Sequence, residues 1–159
     1  MQDVNIAPMT DADLEEVSAL LRSCFNWLAK EEGFTQAQRA FLTGERSSKE
    51  TVRDESETRP HLVAKDERGT LLGMAAVRGN ELARLYVDPQ FHGQRVGSRL
   101  FDAAERLIRH AGFTEMRVAA LVESAAAFYR ARGMREIGRE IYEPEIFLGR
   151  EVVLLAKAL

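Results

Sequence analysis

The sequence predicts an α/β (α+β) fold: one domain over residues 1–159, with a mixed, mostly antiparallel sheet of six to seven strands flanked by about four helices. Three observations predict it. A helical stripe early in the chain gives way after Pro60 to strand-like runs joined by tight turns. A long amphipathic stretch from Val96 to Ala111 then separates two such runs, with room for a parallel crossover. A length of 159 residues, 45% hydrophobic and 30% charged, suits one buried core without staples.

The elements follow in order. Val4 to Pro8 is short and apolar, a first strand. Thr10 and Asp13 have capping-box spacing, and Leu14, Val17, Leu21, Phe25 and Leu28 share one helical face, so a helix runs to about Trp27 before Gly33 breaks the pattern. Thr35 with Gln38, and Ser47 with Glu50, cap short helical pieces reaching about Glu57. His61–Lys65, Thr70–Val77 and Glu81–Val87 form an antiparallel meander, turned at Asp66–Gly69 and at Gly79-Asn80. Val96, Leu100, Ala103, Leu107 and Ala111 mark the long helix, stopped by Gly112. Met116–Leu121 is a strand, Ser124–Arg132 a short helix closed by Gly133, and strands near Arg135–Tyr142 and Glu151–Lys157 finish the chain.

Composition narrows the function. With 22 basic and 25 acidic side chains the net charge is −3, which argues against a nucleic-acid or anionic-membrane partner. One cysteine, Cys24, excludes an intrachain disulfide and four-thiolate zinc, and its place on the first helical stripe makes it a core residue. His61 and His110 have no second ligand at metal spacing, so no metal is expected. Neither a signal peptide nor a membrane helix is read, and a reducing cytoplasm is the expected location.

The stretch with the most chemistry runs from Leu85 to Leu100. A strand is halted at Asp88-Pro89, the chain turns, and a helix begins within His92-Gly93-Gln94-Arg95-Val96-Gly97-Ser98. The first N–H groups of a helix lack intrahelical acceptors, and the helix dipole is positive there, so such a start holds anions, phosphate above all. Without Gly-Lys-Ser/Thr this is no P-loop, and Gly93-x-x-x-Gly97 is not the dinucleotide fingerprint. On the residues alone, turn chemistry and ligand binding both remain open.

This stretch resembles the acyl-CoA-binding motif of the GNAT superfamily, a Leu-aromatic-Val-x-Pro strand end followed by Gln/Arg-x-x-Gly-x-Gly/Ala. Here His92 stands for the leading Gln/Arg and Arg95 for the central glycine. A second signature, Asn-Ala-x-x-Phe-Tyr-x-x-x-Gly-Phe, is matched by Ser124 to Met134, with Ser124 for the asparagine and Met134 for the final Phe. Arg95 is expected to take a negative φ near the helix start, with its guanidinium available to phosphate, and Ser124 to cap its helix.

The resemblance implies an N-acetyltransferase that uses acetyl-CoA and no metal, by direct attack of an amine in a ternary complex. The acceptor is a small-molecule or peptide amine, and a homodimer is compatible with it. The pantetheine arm is expected between Leu85–Val87 and Met116–Leu121, with the pyrophosphate over the amides of Gly93 to Ser98. Cofactor contacts then fall on Leu85, Tyr86, Val87, His92, Gly93, Gln94, Arg95, Val96, Gly97, Ser98 and Ser124. A strand N–H near Tyr86 or Val87 polarises the thioester. Tyr129 matches the family's acid and Glu81 its base, while Phe25 and Trp27 wall the acceptor site. A CoA-binding sensor or regulatory module without turnover is the alternative.

Overall fold

The computed structural model describes residues 3–159. Seven strands form one sheet in the order β1-β2-β3-β4-β5-β7-β6. They are β1 (Asn5–Pro8), β2 (His61–Lys65), β3 (Leu71–Arg78), β4 (Glu81–Val87), β5 (Glu115–Ala120), β6 (Arg135–Ile141) and β7 (Glu151–Ala158). Every neighbouring pair is antiparallel except β4 and β5, which are parallel. The crossover between those two is the long helix, as its length requires.

Five α-helices cover the sheet, one more than the sequence suggests: α1 (Leu14–Glu32), α2 (Gln36–Thr43), α3 (Lys49–Ser56), α4 (Val96–His110) and α5 (Glu123–Arg130). α1 continues past Trp27 because Leu28 and the buried Ala29 extend its apolar face. Thr35 and Gln38 make the expected capping box, an arrangement worth about 1 kcal/mol. The third cap is Ser48 rather than Ser47, and it accepts from the Thr51 amide. Ser47 is instead fully buried, with its hydroxyl on the Leu42 carbonyl at 2.7 Å.

The two faces of the sheet carry two apolar clusters. On one, Val96, Leu100, Phe101, Ala104 and Ile108 of α4 pack with Leu72, Leu82, Val118 and Leu155. On the other, Leu14, Val17, Leu21 and Phe25 of α1 pack with Val63, Leu71 and Met74. The alternation at the end of β4 then divides its side chains: Leu85 and Val87 turn toward α4, and Tyr86 turns toward α1.

Candidate active site

The site begins as a parting in the sheet. β4 and β5 share one register pair, Glu81 with Arg117, supported by the Arg117 amide on the Asn80 carbonyl at 2.9 Å. Beyond that pair each strand is held on its outer edge only. β3 holds β4 through Val87, and β7 holds β5 through Ala120. β4 carries one extra residue against β3 where the register shifts between Ala76 and Val77, a bulge of the kind that bends a strand, and Phe128 and Tyr129 of α5 reach the space between the two inner edges. The result is a cleft with a cavity of about 540 Å³.

The ladder decides which β4 groups face this parting. The Asp88 amide donates to the Leu72 carbonyl at 2.9 Å, so alternation directs Tyr86 toward β3 and the N–H groups of Leu85 and Val87 toward β5. Of the two amides expected to face a thioester, that of Tyr86 is therefore turned away. The Val87 carbonyl also faces the open side and is already engaged. It accepts from the Cys24 thiol at 3.3 Å and from His92 Nε2, which must be the protonated ring nitrogen, at 3.0 Å. His92 further meets Trp27 edge-on, with ring centroids 4.9 Å apart. The imidazole thus closes the end of β4 instead of lying over the helix start.

At the head of α4, six consecutive amides, Gly93 to Ser98, have no acceptor among the described residues; the first in the series to find one is Arg99, on the Arg95 carbonyl at 3.1 Å. Left-handed backbone at Gly93 (φ +80°) and Arg95 (φ +66°) turns successive N–H groups toward one concavity, the geometry of an anion nest. The expected negative φ at Arg95 is corrected here. The nest needs a left-handed residue at that point, and arginine adopts it at a cost of roughly 1–2 kcal/mol relative to glycine. Arg95→Gly is accordingly expected to raise thermal stability while lowering CoA affinity, because the guanidinium beside the nest is lost. A calorimetric melt and a titration with CoA check both; equal affinity would remove the side chain from phosphate binding.

Gly97 serves a different purpose from the one its motif suggests. A Cβ there would sit 3.3 Å from the Phe128 ring and 3.6 Å from Val87 Cγ2, so the missing side chain makes room for Phe128. Stacked on that ring, 3.6 Å from its centroid, is the Arg132 guanidinium. Arg132 donates to the Phe128 carbonyl at 2.9 Å and to Ser98 Oγ, has no carboxylate partner among the described residues, and lines the cleft beside the nest. Arg132 is not among the site residues that the sequence motifs single out. The signal for it is the four-residue spacing from Phe128, which sets an arginine about one turn beyond an aromatic ring, just past the end of α5.

The remaining expected residues divide. Trp27, Leu85, Tyr86, Val87, Val96, Ser98, Ser124 and Tyr129 all line the cleft. Ser124 does so without capping, since α5 begins one residue earlier with Val122 at the cap position. Tyr129 is buried, with no hydrogen bond to its hydroxyl among the described residues, and burial followed by the nearby Tyr86 pushes its pKa well above the ordinary phenol value. Three residues stand elsewhere. The Gln94 side chain is exposed outside the cleft wall. Phe25 is 3% exposed and packs behind Tyr86, with centroids 5.0 Å apart, so it supports the wall without forming it. Glu81 pairs with Arg78 at 2.8 Å at the far end of β4, on the order of 13–20 Å along the strand from the amides of Leu85 and Val87.

Solved structures share this architecture. The GCN5-related N-acetyltransferase from Rhodopseudomonas palustris superposes with a TM-score of 0.87 at 21% identity, over 100% of this chain and 98% of that one. The PaiA N-acetyltransferase from Thermoplasma acidophilum, solved with coenzyme A, gives 0.78 at 21% identity, covering 99% of both chains. YncA of Salmonella typhimurium, solved with its cofactor acetyl-CoA, gives 0.71 at 18% identity, covering 99% of this chain and 94% of that one. No curated protein matches the chain in sequence. The fold is therefore that of the GNAT acetyltransferases. A family model described as an acetyltransferase (GNAT) domain matches residues 29–148, and the chain belongs to that family.

Proposed function

We propose that the chain is an N-acetyltransferase that carries an acetyl group from acetyl-CoA to an amine. The observation that carries this reading is the run of six bare amides at Gly93–Ser98, set directly beside the parting of β4 and β5. Solvent-facing donors at a helix start suit a pyrophosphate, and an open strand edge suits an amide-bearing arm laid along it. The residues fit CoA at both ends, with Arg132 and Arg95 adding positive charge at the nest.

Bound acetyl-CoA supplies the acetyl group as a thioester, which the amine attacks directly to form an amide and release the thiol. The chain's part is electrostatic and positional. The Leu85 and Val87 N–H groups, free on the β5 side, stabilise negative charge on the carbonyl oxygen. Tyr129 gives its proton to the departing sulfur and regains one from solvent. With Glu81 at the far end of β4, the attacking amine loses its proton to solvent water rather than to a carboxylate in the cleft wall.

The test is amine-dependent thiol release from acetyl-CoA, run beside a thermal melt with CoA. CoA at ~100 times its dissociation constant is expected to add about 2.7 kcal/mol of stability. Stabilisation without thiol release from any amine would leave a CoA-binding module without turnover. No stabilisation would remove the nucleotide altogether.

A further inference from the structure

The proposed transfer leaves one buried charge cluster without a use. Arg84 of β4 is 4% exposed. Its Nε donates to Glu55 Oε1 at 3.1 Å and its Nη1 to the Arg46 carbonyl at 2.9 Å, while Nη2 has no partner among the described residues. The other Glu55 oxygen takes Arg46 Nη1 at 2.9 Å and Arg59 Nη1 at 3.6 Å. Three positive charges thus share one negative, which leaves two in excess around a buried arginine. His61 lies in the same cross-strand row as Ala76 and Arg84 and offers no compensation. Its Nδ1–H goes to the Arg59 carbonyl, and burial, with Arg84 and Arg59 adding to it, favours its neutral form. Arg84 keeps Glu55 as its counterion, and the excess charge lies on Arg46 and Arg59, both part-exposed, where it can draw an anion from solvent.

The cluster adjoins the cleft through Tyr86, while Arg46, Arg84 and Tyr142 stand behind the cleft lining. Arg84 and Tyr86 project from the same face of β4, and Tyr86 lines the cleft on the α1 side, away from the phosphate nest. Tyr142, just past β6, packs into the same apolar cluster and meets Phe147 edge-on, with centroids 4.9 Å apart. Neither phenol hydroxyl has a hydrogen bond among the described residues. Arg46 keeps 29% of its side chain exposed, so the positive charge reaches solvent there. Arg84 and Arg46 act on both phenols, against the burial that raises their pKa values. Among the described residues no Asp or Glu side chain lines the cleft, so nothing in its wall would anchor the second cation of a polyamine. Phosphate binding does not account for this charge, since the nest and Arg132 lie on the α4 and α5 side.

We propose that the acceptor is a small amine that also bears a carboxylate, held through that carboxylate by Arg46, Tyr86 and Tyr142 above the Arg84–Glu55 pair. The proposal rests on the acetyltransferase reading and adds its substrate class. Guanidinium and phenol together suit a planar oxyanion, which accepts from several donors at once. One charge-assisted contact of this kind corresponds to ~10-fold or more in affinity.

Thiol release is to be compared for amino acids and their decarboxylated counterparts, such as phenylalanine with phenethylamine, methionine with 3-(methylthio)propylamine, and lysine with cadaverine. Spermidine and a C-terminally amidated peptide complete the panel. The expected result is kcat/KM at least ~10-fold higher for the acid in one or more pairs, carried by KM. Arg46→Gln, at a part-exposed position, and Tyr142→Phe, which keeps the ring in its apolar cluster, should each narrow that ratio. Equal or better turnover of the decarboxylated partners, or a preference for spermidine or the peptide, overturns the acceptor class and leaves the acetyltransferase standing. Thiol release from no amine overturns both.

Discussion

Tyr129→Phe is expected to lower kcat about 100-fold while leaving the CoA dissociation constant within about twofold of the parent value. The phenol ring fills the base of the parting, 6.2 Å from Phe101 and 5.4 Å from Phe128 by centroids, and phenylalanine preserves that packing. Only the hydroxyl is removed, and no hydrogen bond among the described residues is lost with it. The size of the effect follows from burial. A pKa raised well above the ordinary phenol value keeps the proton in place at every working pH, but it also weakens the group as an acid. The loss therefore belongs at the low end of the ~10²–10⁴-fold range for general acids. Single-turnover kinetics with saturating acetyl-CoA measure it, and an unchanged rate would strip Tyr129 of the acid role.

Gly97→Val is expected to raise the CoA dissociation constant by ~10–100-fold, the equivalent of one or two charge-assisted contacts. A Cβ at this position already approaches the Phe128 ring to 3.3 Å, and the two methyls of valine bring further bulk against it and Val87. Phe128 must tilt, and Arg132, stacked on its ring and bonded to its carbonyl, moves with it away from Ser98. Gly97→Ala separates crowding from backbone effects. It asks the ring to yield by a few tenths of an ångström, and it improves the helix by up to about 1 kcal/mol. The alanine variant should melt no lower than the parent and show a smaller loss of affinity. Calorimetric titration with CoA, with a melt of each free variant, distinguishes a lost ligand site from a lost fold. Parent-like affinity in Gly97→Val would show that Phe128 and Arg132 do not shape the phosphate site.

Most of the architecture was legible because its signals are local. The apolar spacing of α1 and α4, the Gly79-Asn80 turn and the strand runs after Pro60 each depend on neighbours a few residues away. The cap one residue late at Ser48 and the extension of α1 to Glu32 depend on packing: Ser47 is drawn into the core, and Ala29 is buried by contacts from elsewhere. The helix start after Asp88-Pro89 was likewise readable, whereas the nest ahead of it depends on left-handed backbone at Arg95, where a negative φ was expected.

The side chains around the cleft were not legible in the same way. Glu81 and Phe25 stood at plausible positions along the chain, yet strand length removes the first from the parting and the direction of α1 turns the second into the core. Arg84 lay within the predicted strand Glu81–Val87 with no role assigned to it, and only the approach of α3 sets Glu55 against it.

By itself, then, the sequence determined the order of helices and strands, a helix start after Asp88-Pro89, and the resemblance that the family match supports. Only the tertiary structure decided that Arg95 is left-handed, that Arg132 joins Ser98, and that three arginines gather on Glu55 behind Tyr86. The physical reason is range. Hydrogen bonding within a turn or helix start is settled by adjacent residues, whereas the meeting of charges from separate elements is settled by how the whole sheet is covered.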